Sequence, residues 1–294
     1  MNKATLIGCL TAFLWALIPV LVVFATPAPP FLVTGCAFAI GWLGFLWMWH
    51  REGRSLIQMH VLAPLVALIG LIGLGGDTVL QVASLQMVPP VEANLIDATY
   101  PILTFIFAGL ILKSRIAVQH VIGLLTAFVG VVLIVTDGDF DNLFAHIHTG
   151  HVLAMSSALI LGLYASYQAY RDDITFDTTG AFFGYSAVLL LAVHTLFEPA
   201  YTPTFPQGLA IIGTGFALCG GFVCWYHGMN YGNAPVIAAT SYSGHIISNL
   251  LLVTIGAQPM PPLLLVAAIL ILGGSLFAAK DDIAAGIKEL RNTV

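Results

Sequence analysis

Five polar side chains in an otherwise apolar stretch have types and spacings that could do chemistry. They are Asp77, Gln81, Glu92, Asn94 and Asp97, all within GLGGDTVLQVASLQMVPPVEANLIDATYP, residues 73–101. The apolar runs on either side of Pro89-Pro90 read as a helical hairpin, one membrane span over 61–85 and the next over 90–112. Asp77 lies eight residues before the first span ends, and Asp97 seven after the second begins. At 1.5 Å per residue both acids sit roughly 10–12 Å below the hairpin tip. A carboxyl at that depth costs at least ~2.5 kcal/mol unless it faces a cavity or a partner. Two at one level on neighbouring helices imply a wet polar pocket that can hold an ammonium group or exchange a proton. The competing reading is an interhelical hydrogen bond that only clamps the spans.

Helical spacing sorts these residues. Asp77 and Gln81 are four apart and share a face, as do Asn94 and Asp97, three apart. Glu92 is five residues from Asp97, about 140° around the helix, so those two acids do not stack. Glu92 stands near the outer boundary of its span, either as a gate or as an acid at a helix N-terminus.

Further along, Ser241, Tyr242, His245, Ser248 and Asn249 form a polar stripe at three- and four-residue spacing. His245 falls near the middle of its span, where a neutral imidazole can relay a proton or donate to a carboxylate. Tyr164 and Trp225 read as aromatic walls able to stack on a substrate or hold a cation; the alternative is an interfacial belt. Trp15 and Pro19 in the first span join Glu92 as gate candidates, because a mid-span proline kinks a helix and eases rocking. His146, His148 and His151 could ligate a transition metal, but a solvated loop is the preferred reading and no metal is assigned. Asp137, Asp139 and Asp141 start like a calcium loop, yet the glycine at position six is missing and position twelve is His148.

The elements that must position these residues are membrane helices. The chain has 294 residues, of which 59% are hydrophobic and 8% charged, against about 25% charged in a soluble domain. The net charge of −5 and the absence of a basic run exclude a nucleic-acid partner. Cys9, Cys36, Cys219 and Cys224 all lie in apolar runs and read as buried free thiols. No P-loop, HExxH or GxSxG occurs. ATP hydrolysis, a cofactor and a catalytic site are therefore not expected. Residues 4–25 are too long for a signal-peptide core and read as the first span.

Runs of about 20 apolar residues give ten spans: 4–25, 28–49, 61–85, 90–112, 116–135, 150–170, 179–197, 207–229, 234–256 and 261–279. With the N-terminus inside, all 9 Lys and Arg fall on the cytoplasmic side, a clean positive-inside split. Both termini are then cytoplasmic. PVEANLIDATYPI at 90–102 and PVIAATSYSGHII at 235–247 begin alike, and five spans per half make the halves inverted. The expected fold is an all-α integral membrane protein of ten transmembrane helices in two inverted five-helix repeats. The repeats are 1–135 and 150–279, with an external loop at 136–149 and a mildly amphipathic tail at 280–294.

On these motifs the chain resembles the drug/metabolite transporter superfamily, in its ten-helix EamA-type branch. The matching features are ATLIG with Leu14-Trp15, EANLIDATYPILTFIFAGLIL, NYGNAPVIAATSY and ILGGSLF. Glu92, Pro101, Tyr164, Trp225, Gly232-Asn233 and Ser241-Tyr242 make it most similar to the bacterial aromatic-amino-acid exporters. His245 departs from a usual proline, Tyr100 and Leu161 from usual tryptophans, and Asp97 from a usual neutral residue. The resemblance implies a secondary transporter of the bacterial inner membrane working by alternating access, its substrate a small polar or zwitterionic metabolite such as an amino acid, with export favoured. Protons are the candidate coupling ion. The expected cavity residues are Asp77, Gln81, Asn94, Asp97, Tyr100, Tyr164, Trp225, Tyr242, His245 and Asn249. The acids also admit a transporter of cationic amines, and a channel or membrane sensor is the reading from another class.

Overall fold

The structure, a computed structural model, describes residues 3–112, 116–139, 146–168, 171, 174–241, 243–281, 283–284 and 288. The described residues form helices and short connections. Among the described residues, nine helices are long and apolar enough to cross a membrane: Lys3–Ala25, Pro30–Arg51, Pro64–Met87, Pro90–Ile111, Val118–Thr136, Thr149–Gln168, Phe176–Phe197, Phe205–Tyr231 and Val236–Thr254. A tenth, Pro262–Ala278, is 17 residues long, still within reach of a hydrocarbon core. In chain order these are the first to tenth spans.

Proline and capping chemistry set the boundaries. Pro30, Pro64, Pro90 and Pro262 each open a span, where the missing N–H costs nothing and the fixed φ suits a helix. Thr204 and Gln207 form a capping box at the eighth. The third span starts at Pro64, three residues later than the hydropathy reading, because Leu56–Met59 forms a separate short helix capped by Ser55. The loop placed at 136–149 and the tail placed at 280–294 are described only in part.

Among the described residues, two spans are irregular near their middles. The third widens into a π-helical stretch at Leu71–Gly76. Glycines there let neighbours in: Tyr164 packs against Gly73 and Ser186 against Gly75. The fourth breaks between Pro90–Asp97 and Tyr100–Leu112. Pro101 causes this, since it has no N–H for the Asp97 carbonyl and its ring would clash there.

The packing has a regular plan. The first span lies along the eighth and the third along the sixth. The second contacts the eighth, and the third the seventh; the first contacts the ninth, and the fourth the sixth. The second and seventh, the fourth and ninth, and the fifth and tenth pair directly. Every one of these contacts maps onto another, or onto itself, when each span is exchanged for the one five places away. That fits two inverted halves. Small residues allow the closest crossings: a Cβ on Gly228 would stand 2.5 Å from the Gly8 Cα, and one on Gly123 would stand 2.6 Å from the Gly274 carbonyl oxygen. Leu43, Trp47, Val118, Leu125, Phe216 and Ile269 point outward and are exposed, as lipid-facing side chains must be.

Candidate functional site

The broken fourth span meets the ninth at the centre, where Asn94 Nδ2 donates to Ser248 Oγ at 2.7 Å. Beside this contact is a cavity of about 370 Å³, lined by the first, third, fourth, sixth, eighth and ninth spans. Asp77, Thr78 and Gln81 reach it from just beyond the π-helical stretch, and Asn94, Asp97 and Tyr100 from the two sides of the break in the fourth span. Apolar and aromatic groups make most of the remaining wall, including Ile18, Leu74, Phe105, Leu161, Leu218 and Phe222. Among the described residues no Lys or Arg lines it.

The two acids stand side by side. Ser157 Oγ lies 2.7 Å from Asp77 Oδ1 and 2.9 Å from Asp97 Oδ1. Gln81 Nε2 donates to Asp97 Oδ2 at 2.8 Å. Asp97 is 1% exposed and Ser157 0%. The two acids therefore stand together as the count from the hairpin places them: the carboxyls border a cavity and are also tied across spans.

Of the other sequence-predicted residues, Asn94, Tyr100, Tyr164, Trp225 and His245 line the cavity, and His245 packs on Tyr100 with ring centroids 5.6 Å apart. Trp15 and Pro19, read as gate candidates, line the same cavity, and Trp15 stacks on Trp225 at 5.9 Å. Asn249 is not part of the lining. It turns back to its own helix, where Nδ2 donates to the His245 carbonyl at 2.7 Å. Four-residue spacing from His245 put it on the polar stripe, but Ser248 is the neighbour that faces inward. Tyr242 lies outside the described residues. Ser157, Thr78 and Phe222 were not anticipated. A serine in a span commonly bonds its own helix, so nothing in the sequence marks Ser157.

The cavity is closed on one face and open on the other. Toward the face where the first span begins, Tyr100, Thr104, Gln168, Trp225 and Ser241 are only partly buried. Toward the opposite face, Thr78, Asn94, Asp97 and Ser248 are buried, and beyond them hydrogen bonds tie the span ends. Gln258 Nε2 donates to Glu92 Oε1 at 2.8 Å, while Gln258 Oε1 accepts from the Val91 N–H at 2.9 Å. His151 Nε2 stands 3.4 Å from Glu92 Oε2. Gln86 and Gln207 donate to the carbonyls of Ala28 and Thr26 at 3.0 and 3.1 Å. Glu92 thus belongs to the closure and not to the cavity wall. His151 is committed to it, His146 faces Asp139 at 3.4 Å, and no metal-ligating group of three forms among the described residues.

Ten apolar helices around a central polar cavity define a polytopic membrane transporter, and comparison with known proteins agrees. Residues 2–136 match the EamA-like transporter family. The chain is 28% identical over 280 residues to the aromatic amino acid exporter YddG of Ancylobacter novellus, covering 94% of this chain and 97% of that one. It is 26% identical over 200 residues to the aromatic amino acid exporter YddG of Escherichia coli, covering 63% of this chain and 66% of the relative. A crystal structure 27% identical in sequence superposes with a TM-score of 0.70, covering 95% of this chain and 97% of that one. The chain is thus similar, over most of its length, to EamA-type transporters of the drug/metabolite transporter kind, which are transporters and not enzymes.

Proposed function

We propose that this protein is a secondary transporter that exports small amine-bearing metabolites, amino acids foremost, across the bacterial plasma membrane by alternating access. The observation that carries the reading is the carboxyl pair of Asp77 and Asp97 at the buried end of an aromatic-walled cavity. An ammonium group seated against Asp97 gains a strong charge pairing in a medium of low dielectric, and Trp15, Trp225 and Tyr100 offer ring faces to its side chain. The two aromatic-amino-acid exporters among the relatives support the same class of cargo. Protons are the coupling ion in this reading, taken up by the acid pair when the amine leaves.

One observation favours a second cargo. With no Lys or Arg in the lining, a substrate carboxylate has no cationic partner, so amines lacking a carboxylate fit the charge of the site better than zwitterions. Counterflow in proteoliposomes, with a panel of aromatic amino acids and their decarboxylated amines, decides between them. Saturable uptake of either set supports a carrier. Flux linear in concentration marks a channel, and no flux of any amine sinks the proposal.

The inverted repeat and alternating access belong together here. Spans four and nine, which meet at the centre, form the hinge region in this reading, and the symmetric contact plan lets one half rock against the other. Orientation follows from the basic residues: Arg51, Arg54 and Lys280 lie at span ends on the face to which the cavity opens, which is assigned to the cytoplasm. In a background without the native cysteines, Glu52→Cys should resist an impermeant thiol reagent in intact cells, and Asp139→Cys should react. The reverse pattern would invert the topology and with it the state described.

A further inference from the structure

Ser157 stands between two carboxyls with one hydrogen to give. A serine hydroxyl donates once and accepts through its lone pairs, yet its oxygen is 2.7 Å from one acid and 2.9 Å from the other. If both acids were ionised, one of these contacts would set a carboxylate oxygen against a hydroxyl lone pair at hydrogen-bond distance. Asp97 and Ser157 are buried, so this opposition is weakly screened. Both contacts are satisfied only when one acid carries a proton, donates it to Oγ, and Oγ donates to the other. Gln81 favours one sense of the chain. Its Nε2–H donates to Asp97 Oδ2 at 2.8 Å, and a second donor stabilises the ionised form of that acid, so Asp97 is the carboxylate and Asp77 holds the proton.

We propose that Ser157 is a positioning residue that makes the acid pair hold a single proton, on Asp77, so that the pocket presents one negative charge, on Asp97, to one ammonium group. The inference rests on the pocket proposed above and deepens it. It specifies a substrate with a single positive centre beside the pair, and it disfavours a diamine whose two charges would both need partners there. The other titratable groups lining the cavity are Tyr100 on the fourth span, Tyr164 on the sixth and His245 on the ninth; the first and eighth spans contribute Trp15 and Trp225, which do not titrate. None of these lies between the two acids as Ser157 does.

Infrared spectroscopy of the unliganded full-length protein in detergent at neutral pH tests this without any substrate, so its outcome is separate from that of the transport assay. The expected result is one carboxylic-acid C=O band. Asp77→Asn should remove it, because the asparagine amide N–H takes over donation to Oγ. Asp97→Asn should also remove it, because the chain then reverses and Ser157 donates to an ionised Asp77. Ser157→Ala should shift the band, since the acid loses its hydroxyl partner. A serine with only a packing role would leave the frequency unmoved. No acid band in the unsubstituted protein, a band that survives either asparagine substitution, or a band unshifted in Ser157→Ala overturns the proposal.

Discussion

Asp97→Asn weakens binding of an amine-bearing substrate about tenfold or more, which is ~1.4 kcal/mol. The substitution is nearly isosteric, and the amide can still satisfy its neighbours: its oxygen accepts from Gln81, and its N–H donates to Ser157. Folding and membrane insertion should therefore be retained, leaving the loss to charge. A desolvated ammonium opposite a carboxylate exceeds the same contact with a neutral amide by more than a surface pair would, because water does not screen it. The pH dependence of transport should flatten as well, since the remaining acid no longer shares a proton with a partner. Initial rates against substrate concentration at several pH values, at matched protein content, measure both effects. Unchanged affinity together with an unchanged pH profile would make the carboxyl structural and end the assignment.

Glu92→Ala opens the closed face. The carboxylate accepts from Gln258 Nε2 and faces His151 Nε2, so truncation releases the ninth-to-tenth connection and the start of the sixth span together. Hydrogen bonds to charged groups contribute about 1.5–3 kcal/mol each. Loss of one moves an equilibrium between two states by roughly tenfold to a hundredfold. Thr78→Cys, placed in the cavity wall of a protein without its native cysteines, reports the shift. An impermeant reagent applied from the Glu92 side should label it at least tenfold faster when Glu92 is alanine. An equal rate in folded protein would show that the cluster seals nothing and that closure rests on packing alone.

Much of this site was legible because acids in hydrocarbon are costly and therefore few. Asp77 and Asp97 could be placed at one depth by counting residues from a Pro-Pro turn, and the side-by-side geometry follows that count. The spans were legible for a similar reason: length and polarity fix what crosses a bilayer. Rotation about a helix axis was less so. Ser248 faces the cavity while Asn249, one position further, turns back on its own helix, and a stripe read at three- and four-residue spacing does not separate the two. Ser157 and Gln258 were missed because a neutral side chain inside a span, or in the loop after it, takes its meaning from partners far along the chain. Gln258 acquires its role only when the tenth span has returned to the fourth.

The widened turn at Leu71–Gly76 has a consequence for heredity. A π-helical turn behaves as one residue inserted into an α-helix, and each residue advances a helix by about 100°. Loss of a single codon in this stretch would close the widened turn into ordinary α-helix and leave Asp77 and Gln81 facing as they do, because the bulge already absorbs the extra residue. Loss of a codon in the regular helix just beyond it, between Asp77 and Gln81, has no bulge to absorb it and would turn Gln81 by about 100° away from Asp97. In the gene, the same deletion is thus silent to the pocket on one side of Asp77 and ruinous to it on the other.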